Sequence, residues 1–122
     1  MPTGQSKSDR ALTSRKAAQG ALNYQSGLAA EDCVVRHYTS AGAEVLERRW
    51  RGSAGEIDLI LRQGTEIVFV EVKKASSFAA AAERLTGAQL ARVMSSAEEY
   101  AGHLPQGLLT PMRFDAALVD EQ

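Results

Sequence analysis

With 122 residues, 44% of them hydrophobic and 24% charged, the chain has room for one folded domain with its own core and none for a second. The lone cysteine, Cys33, excludes an internal disulfide and any cysteine-cluster metal site, and it fits a reducing cytoplasm. A net charge of −1, from 14 basic and 15 acidic residues, leaves no overall basic footprint of the kind that phosphate contacts usually produce.

Residues 1–24 are polar, small and weakly periodic, and read as a flexible tail preceding an α/β domain over residues 25–122. The opening stretch has no apolar region of the secretory type, and no run approaches the roughly 18 apolar residues of a membrane helix. The expected location is the cytoplasm, with no membrane partner. From Gly27 to Tyr38 a helical pattern sets Leu28, Val35 and Tyr38 on one stripe, and Gly42 supplies its stop. Glu31 falls on that same apolar stripe, where an acid needs a reason.

Three strands are expected next: Ala43–Trp50, Glu56–Leu61 and Ile67–Lys73. The first two are separated by Gly52-Ser53-Ala54-Gly55, the last two by Arg62-Gln63-Gly64-Thr65, which has the composition of a hairpin turn. Ala79–Ala82 and Gly87–Ala101 read as helix, the longer one with Leu90, Val93, Met94 and Ala97 facing a core. Pro105 and Gly107 break the chain before a last strand, Met112–Val119. The order of helix, three strands, helix and strand predicts a mixed sheet with helices packed on it.

The chemistry gathers on the second and third strands. Alternation puts Ile67, Phe69, Glu71 and Lys73 on one side of the third strand, so an acid and an amine stand together where a doubly covered strand would stay apolar. With a turn at Gln63-Gly64, Arg62 faces Thr65, Asp58 faces Phe69 and Glu56 faces Glu71, which makes Asp58 and Glu71 diagonal neighbours on one face. A different turn would change this register. Two converging carboxylates repel unless one is protonated or a cation fills the gap. Oxygen-only ligands favour a hard ion, Mg²⁺ or Mn²⁺, over zinc. The same two acids also fit a structural polar pair satisfied by Lys73 and Arg62, and spacing alone does not separate the two readings.

These residues carry a family resemblance. Gly55-Glu56-Ile57-Asp58-Leu59-Ile60 followed by Val68-Phe69-Val70-Glu71-Val72-Lys73 resembles the D…ExK signature of the PD-(D/E)XK nuclease superfamily. More narrowly, it is similar to the YraN-like family of small endonuclease-like bacterial proteins. The likeness extends to Gly27-Leu28-Ala29-Ala30-Glu31 in the opening helix, to the first strand around Trp50, and to Arg113-Phe114-Asp115. It implies a restriction-endonuclease-like core, a mixed central β-sheet flanked by helices, and kinship to archaeal Holliday-junction resolvases, which by analogy suggests a homodimer. It also implies Asp58 and Glu71 as ligands of Mg²⁺ or Mn²⁺, Lys73 as the catalytic lysine and Glu31 as an accessory helix carboxylate that binds metal. The chain departs from the family at Arg49, where Asn is usual, at Ala75, where a basic residue often follows, and at Gln89, where Lys is common.

The function expected on this basis is metal-dependent hydrolysis of phosphodiester bonds in DNA or RNA. Arg48, Arg49, Arg51 and Lys74 are the candidate nucleic-acid contacts, although charge groups of this size are as often a solvated face. Trp50 among the arginines fits either a base-stacking platform or a sheet-edge core residue. Glu31 alone also fits a side chain that snorkels out of its helix face. Asp115 is expected to pair with Arg113 or another arginine, Cys33 to pack, and His37 and His103 to lie at the surface. The rival class is a non-catalytic nucleic-acid-binding or protein-interaction module that keeps the nuclease scaffold.

Overall fold

The structure, a computed structural model, describes residues 23–120, with side chains from residue 28 onward. The tail expected over residues 1–24 lies almost wholly outside this range. The elements in chain order are α1 (Asn23–Ser40), β1 (Glu44–Arg51), β2 (Glu56–Gln63), β3 (Glu66–Ala75), α2 (Phe78–Glu83), α3 (Gly87–Ala101), a 3₁₀ turn (Gly107–Leu109) and β4 (Met112–Asp120). The architecture is α/β, with a four-stranded sheet in the order β1-β2-β3-β4. β1 pairs with β2 and β2 with β3, both antiparallel. Ile67 N–H donates to Pro111 O at 2.9 Å. β3 and β4 thus start side by side and run parallel, so the sheet is mixed. A parallel neighbour requires a long crossover, and α2 and α3 provide it.

The described residues divide into two compact units, one of residues up to 41, 72–85 and from 116 on, the other of residues 42–71 and 86–115. In the first unit, α1 buries Ala30, Glu31, Cys33, Val34 and Tyr38. The expected stripe through Leu28 and Val35 is therefore rotated: both are only half-buried. Gly42 ends the helix with φ 97, a left-handed position suited to glycine. Ser77 caps α2 by accepting from Ala80 N–H at 3.1 Å, and Ala81 is buried.

The second unit has its core where α3 meets the β1–β3 hairpins: Ile57, Ile60, Ile67, Phe69, Val93 and Ala97, with Trp50 and Tyr100 packed against them. Tyr100 meets Trp50 and Phe69 edge-on, at ring separations of 5.2 and 6.0 Å, a favoured arrangement for aromatic pairs. The helical stripe expected through Leu90 and Met94 is corrected here. Both are exposed, at 44% and 50%, while Ser96 and Ala101 are buried. Helix and sheet approach closely at small residues, and Ser96 is admitted because its hydroxyl donates to Gly55 O at 2.9 Å.

The β2–β3 turn also differs from the expected one. The ladder runs Leu59↔Val70, Ile60↔Phe69, Leu61↔Val68, Arg62↔Ile67 and Gln63↔Glu66, so the two turn residues are Gly64 and Thr65. Gly64 takes φ 64 at the first turn position, where type II′ hairpins place glycine. At this end of the sheet Arg113 donates to Asp115 (3.2 Å), Glu66 (3.0 Å) and Gln63 (3.1 Å). Asp115 is thus the buried structural partner of Arg113 that the sequence suggested.

Candidate metal centre

Glu71 and Lys73 belong to one strand, β3, two residues apart and therefore on the same side of it, about 7 Å apart along the chain. Glu71 is 7% exposed and Lys73 half-buried. The β2–β3 ladder ends at Leu59↔Val70. Asp58 and Glu71 each stand one residue beyond that last pair, at the same end of the hairpin. Asp58 is half-buried and so reaches solvent.

Asp58 is bracketed on its other side by Arg48↔Leu59 and Trp50↔Ile57, which leaves Arg49 as its counterpart on β1. Arg49 has φ 54, the one left-handed non-glycine residue among those described. That conformation suits Asn far better than Arg. β1 is an edge strand, and Arg48, Arg49 and Arg51 lie exposed along it. Arg51 lies 3.9 Å from Glu56. Trp50 is half-buried against Tyr100, which supports the core reading over a free stacking platform. Lys74 is half-buried and alternates to the other side of β3 from Lys73.

The loop that delivers Asp58 is anchored to α3. Ser53 donates to Glu99 Oε1 through its backbone N–H at 2.8 Å and through its hydroxyl at 2.9 Å. The backbone bond above all, with the hydroxyl adding to it, holds the Glu99 carboxyl below its ordinary value. Gly52 N–H closes on Gly55 O at 2.9 Å. A Cβ at Gly52 would meet the Trp50 ring at 2.8 Å and Glu99 and Ser96 at 3.0 Å each, so only glycine fits. Burial raises the Tyr100 phenol above its ordinary value, with Glu47 adding and Arg62 opposing.

Gln89 reaches the carboxylates from α3. Its Nε2 donates to Glu71 Oε2 at 2.7 Å. Sequence reasoning noted this position only as a departure from the family, although Thr86-x-x-Gln89 carries the local signal of a helix start. Glu31 is 8% exposed on α1, in the first unit, so its place on a covered helix face is as the sequence suggested.

Among the described residues, no three His, Cys, Asp or Glu side chains form a group able to hold a metal ion. The donor set that remains, Asp58 and Glu71, fits Mg²⁺ or Mn²⁺, since Mg²⁺ keeps several waters and is commonly held by one or two carboxylates. It does not fit an ion that demands an all-protein cage.

A mixed sheet flanked by helices, with the acid of β2 set against the E-x-K of β3, is the arrangement of a restriction-endonuclease-like α/β protein. Residues 30–119 match the model of the uncharacterised protein family UPF0102. A UPF0102 protein of Ruegeria pomeroyi is 52% identical over 104 residues, covering 85% of each chain. Relatives from Cereibacter sphaeroides and Roseobacter denitrificans are 50% and 49% identical, covering 83% and 88% of this chain and 86% and 84% of theirs. The chain belongs to the UPF0102 family. Among the described residues no helix is long and apolar enough to cross a membrane.

Proposed function

We propose that the protein is a metal-dependent nuclease that hydrolyses phosphodiester bonds in DNA or RNA. The observation that carries this reading is the β2–β3 register, which leaves Asp58 and Glu71 one residue past the Leu59↔Val70 pair, on the strand end that also carries Lys73. Asp58 and Glu71 would hold Mg²⁺ or Mn²⁺ through oxygen. A bound ion of this kind polarises the phosphoryl oxygen and lowers the pKa of a water. Lys73 donates hydrogen bonds to the scissile phosphate and offsets the negative charge that grows there as water attacks. Glu71 orients the site because its carboxylate is itself fixed by Gln89. Arg48, Arg49 and Arg51 on the edge strand, with Lys74, contact the phosphate backbone, where each contact adds salt-dependent affinity without reading sequence.

A non-catalytic nucleic-acid-binding module is the second reading. It is favoured by the lack of a three-ligand group among the described residues and by the net charge of −1. A cleavage panel separates the two. Junction, flap, single-stranded and RNA substrates are incubated with Mn²⁺ and either the wild type or Glu71→Ala. The nuclease reading expects cleavage of at least one substrate that Glu71→Ala abolishes. Salt-dependent binding without metal-dependent cleavage favours the module, and cleavage that survives Glu71→Ala places the activity elsewhere.

A further inference from the structure

A cavity of the second unit lies at the turn end of the β2–β3 hairpin, away from the acids. Past Gly102, which caps α3, the chain makes a run of turns. Leu104 N–H donates to Ala101 O at 2.9 Å, Gly107 N–H to Leu104 O and Thr110 N–H to Gly107 O at 3.0 Å each. The Thr110 hydroxyl donates to Gly107 O at 2.6 Å, and Pro111 O accepts from Ile67 N–H. This hydrogen-bonded arch and the hairpin border a space of about 300 Å³, the lower end of the usual range for small-molecule sites. Backbone bonds set its shape, so it exists before any ligand arrives.

The lining is divided in character. Ile67, Leu104 and Pro105 make it apolar, whereas Arg62 and Thr65 bring a guanidinium and a hydroxyl to it from the hairpin. Arg62 lies 3.6 Å from Glu44, with side chains 48% and 67% exposed, a pair that solvent screens and that contributes little. The Arg62 charge also reaches inward, where it opposes the rise of the Tyr100 phenol. An anion seated against apolar walls is screened less than the exposed Glu44, and a carboxylate or phosphate can take two parallel bonds from the guanidinium fork. We propose that this cavity binds a small amphiphilic anion, a carboxylate or phosphate monoester on a compact apolar body. Arg62 holds the anionic group, and Ile67, Leu104 and Pro105 cover the body. Arg62 stands four residues along β2 from Asp58, roughly 13 Å, so the site is separate from the acids and does not depend on the metal reading.

The test titrates phenylacetate, phenyl phosphate, inorganic phosphate and the neutral 2-phenylacetamide into the isotope-labelled full chain and follows the amide shifts of Ile67, Leu104 and Thr110 by NMR. At least one aromatic anion should saturate with a dissociation constant on the order of 1 mM or below, and which one does so separates a carboxylate site from a phosphate-ester site. The amide lacks the charge and inorganic phosphate lacks the body, so each should bind about tenfold more weakly. Arg62→Gln should weaken the anion about tenfold or more, and Arg62→Lys by less. Glu44→Gln removes the competing carboxylate and should tighten binding about twofold. The same spectra report the folding of each variant, and the Glu44 variant tests the guanidinium without touching it. The proposal is overturned by a wild type that no compound saturates by about 10 mM, or by an amide that binds as tightly as the anions. Inorganic phosphate that matches phenyl phosphate, an affinity that Arg62→Gln leaves unchanged, or weaker binding in Glu44→Gln overturns it equally.

Discussion

Arg49 occupies β1 with φ 54, a left-handed conformation that costs a side-chain-bearing residue about 1–2 kcal/mol. Glycine escapes that cost but loses about 0.5–1 kcal/mol more backbone entropy on folding. Arg49 is exposed, so its surface contacts change stability by only about 0.5 kcal/mol in either direction. Arg49→Gly should therefore stabilise the fold by about 0–1.5 kcal/mol. Asn, which tolerates this region, should behave similarly, and Val, branched at Cβ, should destabilise. The spread between the Gly and Val variants should be on the order of 2 kcal/mol, or roughly 6–10 °C in Tm for a chain of this size. Urea denaturation with an unchanged m-value is the assay. The stabilised Gly variant should also bind single-stranded DNA more weakly, with a salt slope smaller by about 1, since one basic side chain has gone from the edge strand. Equal stability of the Gly and Val variants, or the reverse order, would refute the claim of stored backbone strain at this position.

Gly52→Ala should destabilise by about 1–3 kcal/mol, the range for forcing a methyl into a filled space, because its Cβ would press on Trp50 at 2.8 Å; denaturant unfolding reads this directly. The lowered Glu99 carboxyl contributes stability above its ordinary value of 4.5, and that contribution fades as pH falls through the lower folded value. Ser53→Ala keeps the backbone donor and removes the hydroxyl, so NMR titration should find the Glu99 pKa raised part of the way back. A Glu99 pKa that does not move would mean the hydroxyl contact is not formed in solution.

The strands were legible because their chemistry is periodic: the Val-rich run of β3 and the turn composition at residues 62–65 located the hairpin. Its register was not, since Gln63-Gly64 and Gly64-Thr65 are both acceptable turns by composition and only the ladder decides. The shared face of Asp58 and Glu71 survived this error because both registers preserve parity. In α3 the sequence signal misled, since Leu90 and Met94 are the large apolar residues but the contact surface is built from Val93, Ser96, Ala97 and Ala101. Close packing of a helix on a sheet selects small side chains, which hydrophobicity alone does not rank. The Arg113–Asp115 pair could be read from local spacing. The bonds from Glu99 to Ser53 and from Gln89 to Glu71 span 46 and 18 residues, and no periodicity encodes contacts at such distances. The left-handed φ of Arg49 leaves no mark in composition or periodicity.

Anomalous diffraction from crystals soaked in Mn²⁺ bears on the shared-ion claim with the fewest intermediate steps. A peak within about 2.0–2.3 Å of one oxygen each of Asp58 and Glu71 is expected, with Gln89 still bonded to Glu71 and the peak lost in Asp58→Asn. A well-ordered crystal with no peak between these carboxylates, or with the ion bound at another site, would contradict the account.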